Sequence, residues 1–294
     1  IAWVVSLGTL MAGKWLARRL SRKWSLGVDI FLFVTIWVLA AILWTAEPQV
    51  RSFFAPQPAP PNHAFYPISD AMTYDLAAQF ALIGQGLENG QHTDKPLLST
   101  FLVIVHLIAG QDFDRVANVQ AILLALLPAL LYALGRALHS RPAGVLAGLL
   151  AAFKGKNAIA SAWMVLSANP KVLTSELPMA VLLALLTLFM VLWLQRPQRR
   201  FAYGMLAAGL IGLGTLVRHN AWVFVPFFAM LGLHELWRVK RRAVLGAVLL
   251  VIAFAVSIAP WMIRTMMVTG SPLYFKGPLQ SVVWEDRYTE IEED

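Results

Sequence analysis

Long apolar runs, separated by short clusters of arginine and lysine, follow one another along most of the chain. A helix rises about 1.5 Å per residue, so a run of about 20 residues crosses the hydrocarbon core of a bilayer, which is about 30 Å thick. The pattern therefore predicts an all-α, polytopic membrane protein. The predicted spans are 28–45, 117–134, 177–194, 201–217, 221–236 and 244–259. The apolar run 143–166 is interrupted at 154–157 and is predicted to be a span that reaches the far side near the lysines, followed by a short, partly buried helix.

The basic residues give the orientation of these spans. Cytoplasmic segments of membrane proteins carry an excess of lysine and arginine. The basic clusters alternate with the predicted spans so that they all fall on one side, and acidic residues gather on the other. We assign the basic side to the cytoplasm and predict that the loop 47–116 is extracytoplasmic. The clusters lie at 14–23, 136–141, 196–200 and 238–242.

The external loop 47–116 is predicted to carry two amphipathic juxtamembrane helices after a proline-rich start. In 69–87, apolar residues recur every three or four positions, beginning with Met72, which predicts a helix with Ser69 as its N-cap and glycines near its end. A second helix is predicted over 95–110, with proline in its first turn. Its apolar stretch is too short to cross a membrane. We predict that both helices lie along the membrane interface, with their apolar faces towards the lipid.

The composition agrees with a membrane protein. Hydrophobic residues make up 59% of the chain, charged residues make up 14%, and the mean hydropathy is +0.65. A soluble domain of this composition would lack polar residues for its surface. The net charge of +8 does not indicate nucleic-acid binding, because the basic residues lie in short clusters between apolar runs. The chain has no cysteine, which excludes disulfides, thiolate metal ligands and a cysteine nucleophile.

The first residue is an isoleucine within an apolar run, so we expect the sequence to be part of a longer protein. We divide it into three regions. Residues 1–27 are the tail of a truncated span and a basic cytoplasmic loop, and 28–259 form the transmembrane core with its external loop. Residues 260–294 are predicted to be external and to begin a truncated C-terminal region.

The polar residues of the external loop are candidates for chemistry. Asp70 and Tyr74 are one helical turn apart, and Asp70 lies where free backbone N–H groups stabilise a carboxylate. Lys95 begins the second amphipathic helix, so all three residues would lie at the height of a lipid phosphate. No glycine-rich phosphate loop follows a predicted strand, which leaves a nucleotide-sugar pocket unsupported. A lipid-linked sugar is a donor that is available outside the membrane.

Four motifs occur in order along the chain. They are Asp70-x-x-x-Tyr74 followed by Lys95-Pro96-Leu97-Leu98, then Thr174-Ser175-Glu176-Leu177, then Gly212-Leu213-Gly214-Thr215-Leu216-Val217-Arg218, and finally Ala259-Pro260-Trp261-Met262-Ile263-Arg264. This series resembles the GT-C superfamily of polytopic glycosyltransferases over residues 37–275. The nearest branch contains aminoarabinose transferase, protein O-mannosyltransferases and RgtA/B/C/D-like proteins. Ala71 replaces an acidic residue that is frequent in the family, and a single Pro96 replaces Lys-Pro-Pro, which leaves the subfamily and the acceptor open.

The resemblance implies transfer of a hexosyl or pentosyl group from a polyprenyl-phosphate donor to a lipid, glycan or protein acceptor. The reaction would take place on the extracytoplasmic face of the plasma (inner) membrane. Asp70 would be the general base, and Lys95, Arg218 and Arg264 would face the phosphate. Tyr74 and Glu176 would complete the substrate site. A divalent cation is compatible with this chemistry, although the sequence contains no ligand pattern for a metal.

Two other functions remain open at this point. A transporter or flippase for a lipid-linked glycan would place charges at mid-membrane depth, often on broken helices. Here the charges gather at the two faces, apart from Lys154 and Lys156. A scaffold subunit of an envelope complex would leave Asp70 freely replaceable.

Other polar residues have structural explanations. Asp75 falls on a different helix face from Asp70, and we predict a structural role for it. Asp112-Phe113-Asp114 imitates a metal-binding Asp-x-Asp, but it directly precedes a helix and is predicted to cap it. Glu176 can interact with the dipole of its own helix. The histidines at 63, 92 and 219 lack the spacing of metal ligands.

Overall fold

A computed structural model describes residues 22–58, 60, 63, 65–87, 95–161, 166–238 and 240–269. The predicted regions before residue 22 and after residue 269 lie outside the described residues. The described part of the chain contains helices and turns but no strand. The helices are α1 (Arg22–Ala46), α2 (Asp70–Phe80), α3 (Pro96–Ala109), α4 (Phe113–Leu124), α5 (Leu126–Leu138), α6 (Arg141–Ser161), α7 (Glu176–Gln195), α8 (Arg200–Val217), α9 (Phe224–Arg238) and α10 (Lys240–Thr269).

Helical segments of membrane-spanning length confirm the predicted fold class, an all-α polytopic membrane protein. The segments that are long and apolar enough to cross a bilayer are Leu26–Ala46, Phe113–Leu138, Glu176–Gln195, Pro197–Val217 and Val244–Met267. Helices α4 and α5 together form the second of these, with a short break at Ala125. The predicted interruption of the run 143–166 at 154–157 is wrong, because α6 continues through these residues to Ser161. The predicted span 221–236 corresponds to the shorter helix α9.

Helices α1, α4, α6 and α7 enclose a core of small residues around Trp44. The Trp44 indole is 1% exposed and donates a hydrogen bond of 2.8 Å to the Ala152 carbonyl oxygen. A Cβ added to Gly155 would come within 2.5 Å of the indole ring, so α6 can approach α1 this closely only with glycine at this position. The Lys156 ammonium lies 3.7 Å from the Glu47 carboxylate. Lys156 therefore lies beside the end of α1 that leads into the loop 47–116.

Replacing Gly155 by alanine is expected to destabilise the protein. Alanine is the better helix former, but its methyl group would displace Trp44 from a filled core, and overpacking of this kind costs about 1–3 kcal/mol. The expected result is a lower midpoint of thermal unfolding in detergent. Gly232→Ala is the matched control, because no atom lies within 4 Å of the added Cβ there. Equal midpoints for the two variants would contradict the packing argument.

Helices α2 and α3 form a shelf, a name used below for these two helices, which packs on the outer end of α4. Its core contains Ala71, Tyr74, Leu98, Leu102 and Val116. The face of α2 that packs in this core is not the apolar stripe predicted from the sequence. Met72 and Ile83, which belong to that stripe, are exposed. Small residues such as alanine let the two helices approach closely, so the alanine-rich face became the packing surface.

The start of α2 differs from the prediction in one respect. The helix begins after Ser69, as predicted, but the Ser69 side chain makes no capping hydrogen bond. Ser69 instead has φ 57, a left-handed conformation that is uncommon for a residue other than glycine. The predicted glycine stop is confirmed, because Gly84 and Gly86 also have positive φ, of 88 and 62.

Helices α8 and α10 run parallel in close contact. A Cβ added to Gly204 would meet Leu250, one added to Gly209 would meet the backbone of Ala253, and one added to Gly212 would meet Ser257. The partners in each pair are 44 to 46 residues apart in sequence. Helix α10 continues through Pro260 to Thr269, beyond the predicted span end at 259. Proline is tolerated inside membrane helices, where local adjustments satisfy the freed backbone groups.

Candidate functional site

Asp70 is the first residue of α2, at the outer surface of the shelf. Its side chain is exposed, and it follows Ser69 with its uncommon backbone conformation. Backbone strain of this kind concentrates at functional positions, because the surrounding structure must hold it in place. A carboxylate at a helix N-terminus is also stabilised in its charged form by the helix dipole. Asp70 therefore has the exposure that a proton acceptor needs.

Tyr74 lies one turn after Asp70 but in a different environment. Its ring is 4% exposed in the core of the shelf, and its hydroxyl accepts a hydrogen bond from the ammonium of Lys95. The sequence placed Tyr74 and Lys95 in the same site without predicting this contact. The contact links the first turn of α2 to the residue that precedes α3.

Glu176 and Arg218, which are 42 residues apart in sequence, form an ion pair. The Arg218 Nη1 donates to Glu176 Oε1 over 2.7 Å and to the Ser175 hydroxyl over 3.1 Å. The two side chains are 36% and 35% exposed, so each could also meet a ligand. Ser175 directly precedes α7, Glu176 begins it, and Arg218 directly follows α8. The pairing gives Arg218 a partially buried polar partner.

The two contacts are neighbours in the fold. Leu97, two residues after Lys95, packs against a cluster of Met179, Val217 and Ala221. Val217 immediately precedes Arg218, and Met179 lies one turn into α7. The start of α3 therefore lies against the start of α7 and the end of α8, where Glu176 and Arg218 are found.

Arg264 lies five residues before the C-terminal end of α10. The register between α8 and α10 places position 218 opposite residues 262–264. The Arg264 guanidinium lies 4.6 Å from the centre of the Trp261 ring. Its Nη2 atom is buried and has no hydrogen-bond partner among the described residues. A buried donor without an acceptor is costly, and an anionic ligand would supply the acceptor.

The segment 169–175 positions Ser175 and Glu176, and the motifs found in the sequence included only its last two residues, Thr174 and Ser175. All seven of its residues are buried. The Gln120 amide donates two hydrogen bonds of 2.9 Å to it, to the carbonyl oxygens of Pro170 and Val172. The Lys171 ammonium donates over 2.6 Å to the Glu47 carbonyl oxygen beyond the end of α1. Burial lowers the pKa of Lys171, against the opposing effect of Asp114 and Glu47.

Metal ligands do not come together in the described part of the chain. No three side chains of histidine, aspartate or glutamate there form a group that could hold an ion. The predicted capping role of Asp112 is confirmed, because its Oδ1 accepts a hydrogen bond of 3.1 Å from the Arg115 backbone N–H. The Asp-x-Asp sequence is therefore part of a helix start.

Comparison with known protein families establishes the relationship of this chain. Residues 92–263 match the family described as dolichyl-phosphate-mannose-protein mannosyltransferase. The chain belongs to this family. The predicted resemblance to the GT-C superfamily is thereby confirmed. The family indicates a membrane glycosyltransferase with mannosyltransferase-type activity on a polyprenyl-phosphate sugar. Searches of curated proteins and of solved structures gave no significant match.

The mannosyltransferase-family match covers part of the site. Lys95, Glu176 and Arg218 lie within the matched residues 92–263. Asp70 and Tyr74 precede them, and Arg264 directly follows. The residues outside the match are connected to the matched part through the Tyr74–Lys95 hydrogen bond and through the packing of α10 on α8.

A second polar contact between α2 and α3 was not identified from the sequence of this mannosyltransferase-family chain. The His106 Nε2 lies 2.8 Å from Asp75 Oδ1, and the His106 Nδ1 lies 2.9 Å from the Gly110 carbonyl oxygen. The structural role predicted for Asp75 agrees with its burial in this contact. Burial alone would lower the pKa of His106, but the hydrogen bonds to Asp75 and Gly110 and the charge of Asp75 outweigh it, so the pKa is raised above 6.5.

The His106 pair is expected to make the stability of this mannosyltransferase-family protein depend on pH. Because the pKa of His106 is higher in the folded state, its stabilising effect is complete below the ordinary value of 6.5 and is lost as the pH rises through the raised value. Thermal unfolding in detergent measures this effect. From acid to alkaline pH, the midpoint of the wild type should fall more than that of His106→Gln. His139→Gln, at an exposed histidine, should follow the wild type, and parallel curves for all three proteins would contradict the prediction.

Proposed function

We propose that this protein transfers one sugar from a polyprenyl-phosphate donor to a hydroxyl group of a lipid, glycan or protein acceptor on the extracytoplasmic side of the plasma (inner) membrane. The transferred group is a hexosyl or pentosyl residue. The observation that carries this proposal is that, in a mannosyltransferase-family chain, the start of α3, which Lys95 directly precedes, packs beside the start of α7 and the end of α8, which Arg218 directly follows.

The reaction that suits these residues is a single displacement with inversion. The acceptor oxygen forms a bond to the anomeric carbon while the bond from that carbon to the phosphate oxygen breaks. Asp70 takes the proton from the acceptor hydroxyl, and the electron pair leaves with the polyprenyl phosphate. General-base assistance of this kind contributes about 10²–10⁴ in rate. The acceptor proton and the leaving phosphate then have separate partners.

The cationic residues suit the leaving group. Lys95, Arg218 and Arg264 would face the phosphate, whose negative charge increases as the bond to the sugar breaks. Tyr74 holds the Lys95 ammonium, and Glu176 holds the Arg218 guanidinium. Fixed donors cost little reorganisation during the reaction, which favours this arrangement over mobile surface lysines. Tyr74 and Glu176 thus contribute to the substrate site by orienting the cations.

The distribution of charges favours the enzyme over a transporter or flippase. Lys156 lies near Glu47 beyond the end of α1, and Asp29 pairs with Arg136 and Arg141 at the turn between α5 and α6. Both groups of ion pairs therefore lie near the ends of α1. A transporter would be expected to hold such groups at mid-membrane depth.

The test is transfer of radiolabelled sugar from polyprenyl-phosphate donors into a membrane extract by the full-length protein. Incorporation of label into an acceptor, dependent on the protein, supports the proposal. Movement of the lipid carrier across vesicle membranes without transfer to any acceptor would instead identify a transporter. Neither transfer nor movement would be the result for a scaffold subunit.

A further inference from the structure

The buried ion pair between Asp75 and His106 has no part in the reaction proposed above. The two side chains are 5% and 4% exposed. Besides His106, Asp75 accepts a hydrogen bond of 2.6 Å from the Gln79 amide through its second oxygen. Both ring nitrogens of His106 face acceptors, the Asp75 carboxylate and the Gly110 carbonyl oxygen. An imidazolium can donate to both at once, so the pair is fully hydrogen-bonded as two opposite charges.

The pair joins α2 to the far end of α3. Asp75 directly follows Tyr74 in α2, but their partners on α3 are eleven residues apart, with Lys95 before its first turn and His106 in its last turn. At about 1.5 Å per residue, this separation is roughly 16 Å along α3. Neighbouring side chains of α2 therefore reach towards opposite ends of α3.

Two such contacts fix both the position and the rotation of α2. Consecutive residues project about 100° apart around a helix with 3.6 residues per turn. With the Tyr74–Lys95 contact alone, α2 could rotate about its own axis over the alanine-rich packing surface. The second contact removes this freedom. Asp70, one turn before Tyr74, is exposed, so its direction is determined by the rotation of α2.

We propose that Asp75 and His106 are positioning residues, whose ion pair holds α2 on α3 so that the Asp70 carboxylate points to the acceptor hydroxyl. This inference rests on the proposed glycosyl transfer with Asp70 as the base. A displacement of about 1 Å at a reacting group can cost about 10² in rate. The pair acts on catalysis through the helix and does not touch the substrate.

The test compares His106→Leu with Arg141→Leu in the full-length protein. Each change takes a cationic partner from a buried carboxylate, Asp75 in the shelf or Asp29 at the opposite end of the bundle. Both are expected to reduce the yield of folded protein. Per molecule of folded protein, His106→Leu should lower kcat about 10²-fold and leave the KM for the donor within about twofold, whereas Arg141→Leu should keep the wild-type kcat.

The conservative variant Asp75→Asn tests whether a hydrogen bond to His106 is enough to maintain kcat. The side-chain amide introduced by Asp75→Asn would keep a neutral hydrogen bond to His106, so this variant should retain most of the kcat that is lost in His106→Leu. Wild-type kcat in folded His106→Leu would overturn the inference while leaving the proposed function intact. Absence of transfer by the wild-type protein would instead overturn the proposed function.

A distance measurement tests the positioning independently of activity. The sequence contains no cysteine, so spin labels can be introduced at Met72→Cys on α2 and Leu107→Cys on α3, both at exposed positions. The distribution of distances between the labels should be narrow in the wild-type background and in Arg141→Leu, and broad in His106→Leu. An equally narrow distribution in His106→Leu would show that α2 is fixed without the pair, and would overturn the inference even if this variant were inactive.

Discussion

Replacing Asp70 by asparagine is expected to abolish sugar transfer while the protein still folds and inserts into the membrane. Asparagine has nearly the same shape but cannot take the proton from the hydroxyl group of the acceptor. The rate of sugar transfer should therefore fall by about 10²–10⁴. Folding should be unaffected, because the Asp70 side chain is exposed at the start of α2. The measurement is the initial rate of label transfer from the polyprenyl-phosphate donor, normalised to the amount of folded protein.

Asp114→Asn is the matched control for this change. Asp114 is also an exposed carboxylate in the first turn of an outer helix, α4. Loss of its charge should leave the transfer rate close to that of the wild type. A near-wild-type rate in Asp70→Asn would remove Asp70 as the base, and an equal loss in both variants would point to a general effect of surface charge.

Replacing Arg264 by alanine is expected to weaken binding of the donor more than binding of the acceptor. The buried Nη2 atom of Arg264 lacks a partner among the described residues, which suits a hydrogen bond to the donor phosphate. Hydrogen bonds to charged groups contribute about 1.5–3 kcal/mol, which corresponds to an increase of roughly 10- to 100-fold in the KM for the donor. Steady-state kinetics with each substrate varied in turn measure this difference.

Arg115→Ala is the control for loss of an arginine at the outer face. The Arg115 side chain is 75% exposed, and its Nε lies 3.7 Å from Asp112. Exposed ion pairs of this kind contribute little, so both KM values should stay near those of the wild type. If Arg264→Ala raised the KM values for donor and acceptor equally, the proposed contact with the phosphate would be wrong.

The membrane fold could be predicted from the sequence because it depends on local features of the chain. A helix that crosses the hydrocarbon core needs apolar side chains along its whole length, and such a run is visible directly in the sequence. The start of α2 after Ser69 could also be located, although the Ser69 side chain makes no capping hydrogen bond. The end of α10 could not, because Pro260 normally marks a helix boundary and only its surroundings make it tolerable within the helix.

The candidate site was accessible only in part. Asp70, Lys95, Glu176 and Arg218 could be proposed individually, because charged residues near the ends of apolar spans need a reason. The pairing of Glu176 with Arg218 across 42 residues was not predictable, since the pattern of one helix does not specify which helix packs beside it. Asp75 and His106 were missed as a pair for the same reason.

The class of fold and the residues that are candidates for chemistry could therefore be obtained from the sequence, because hydrophobicity, charge and helix starts act within a few residues of the chain. Which of these residues meet depends on the tertiary structure. Glycine at Gly155 allows close approach of two helices, Leu97 brings the start of α3 against α7 and α8, and the Asp75–His106 pair joins α2 to α3. Packing and buried hydrogen bonds depend on complementary surfaces from distant segments, and a single sequence carries no record of which surfaces are complementary.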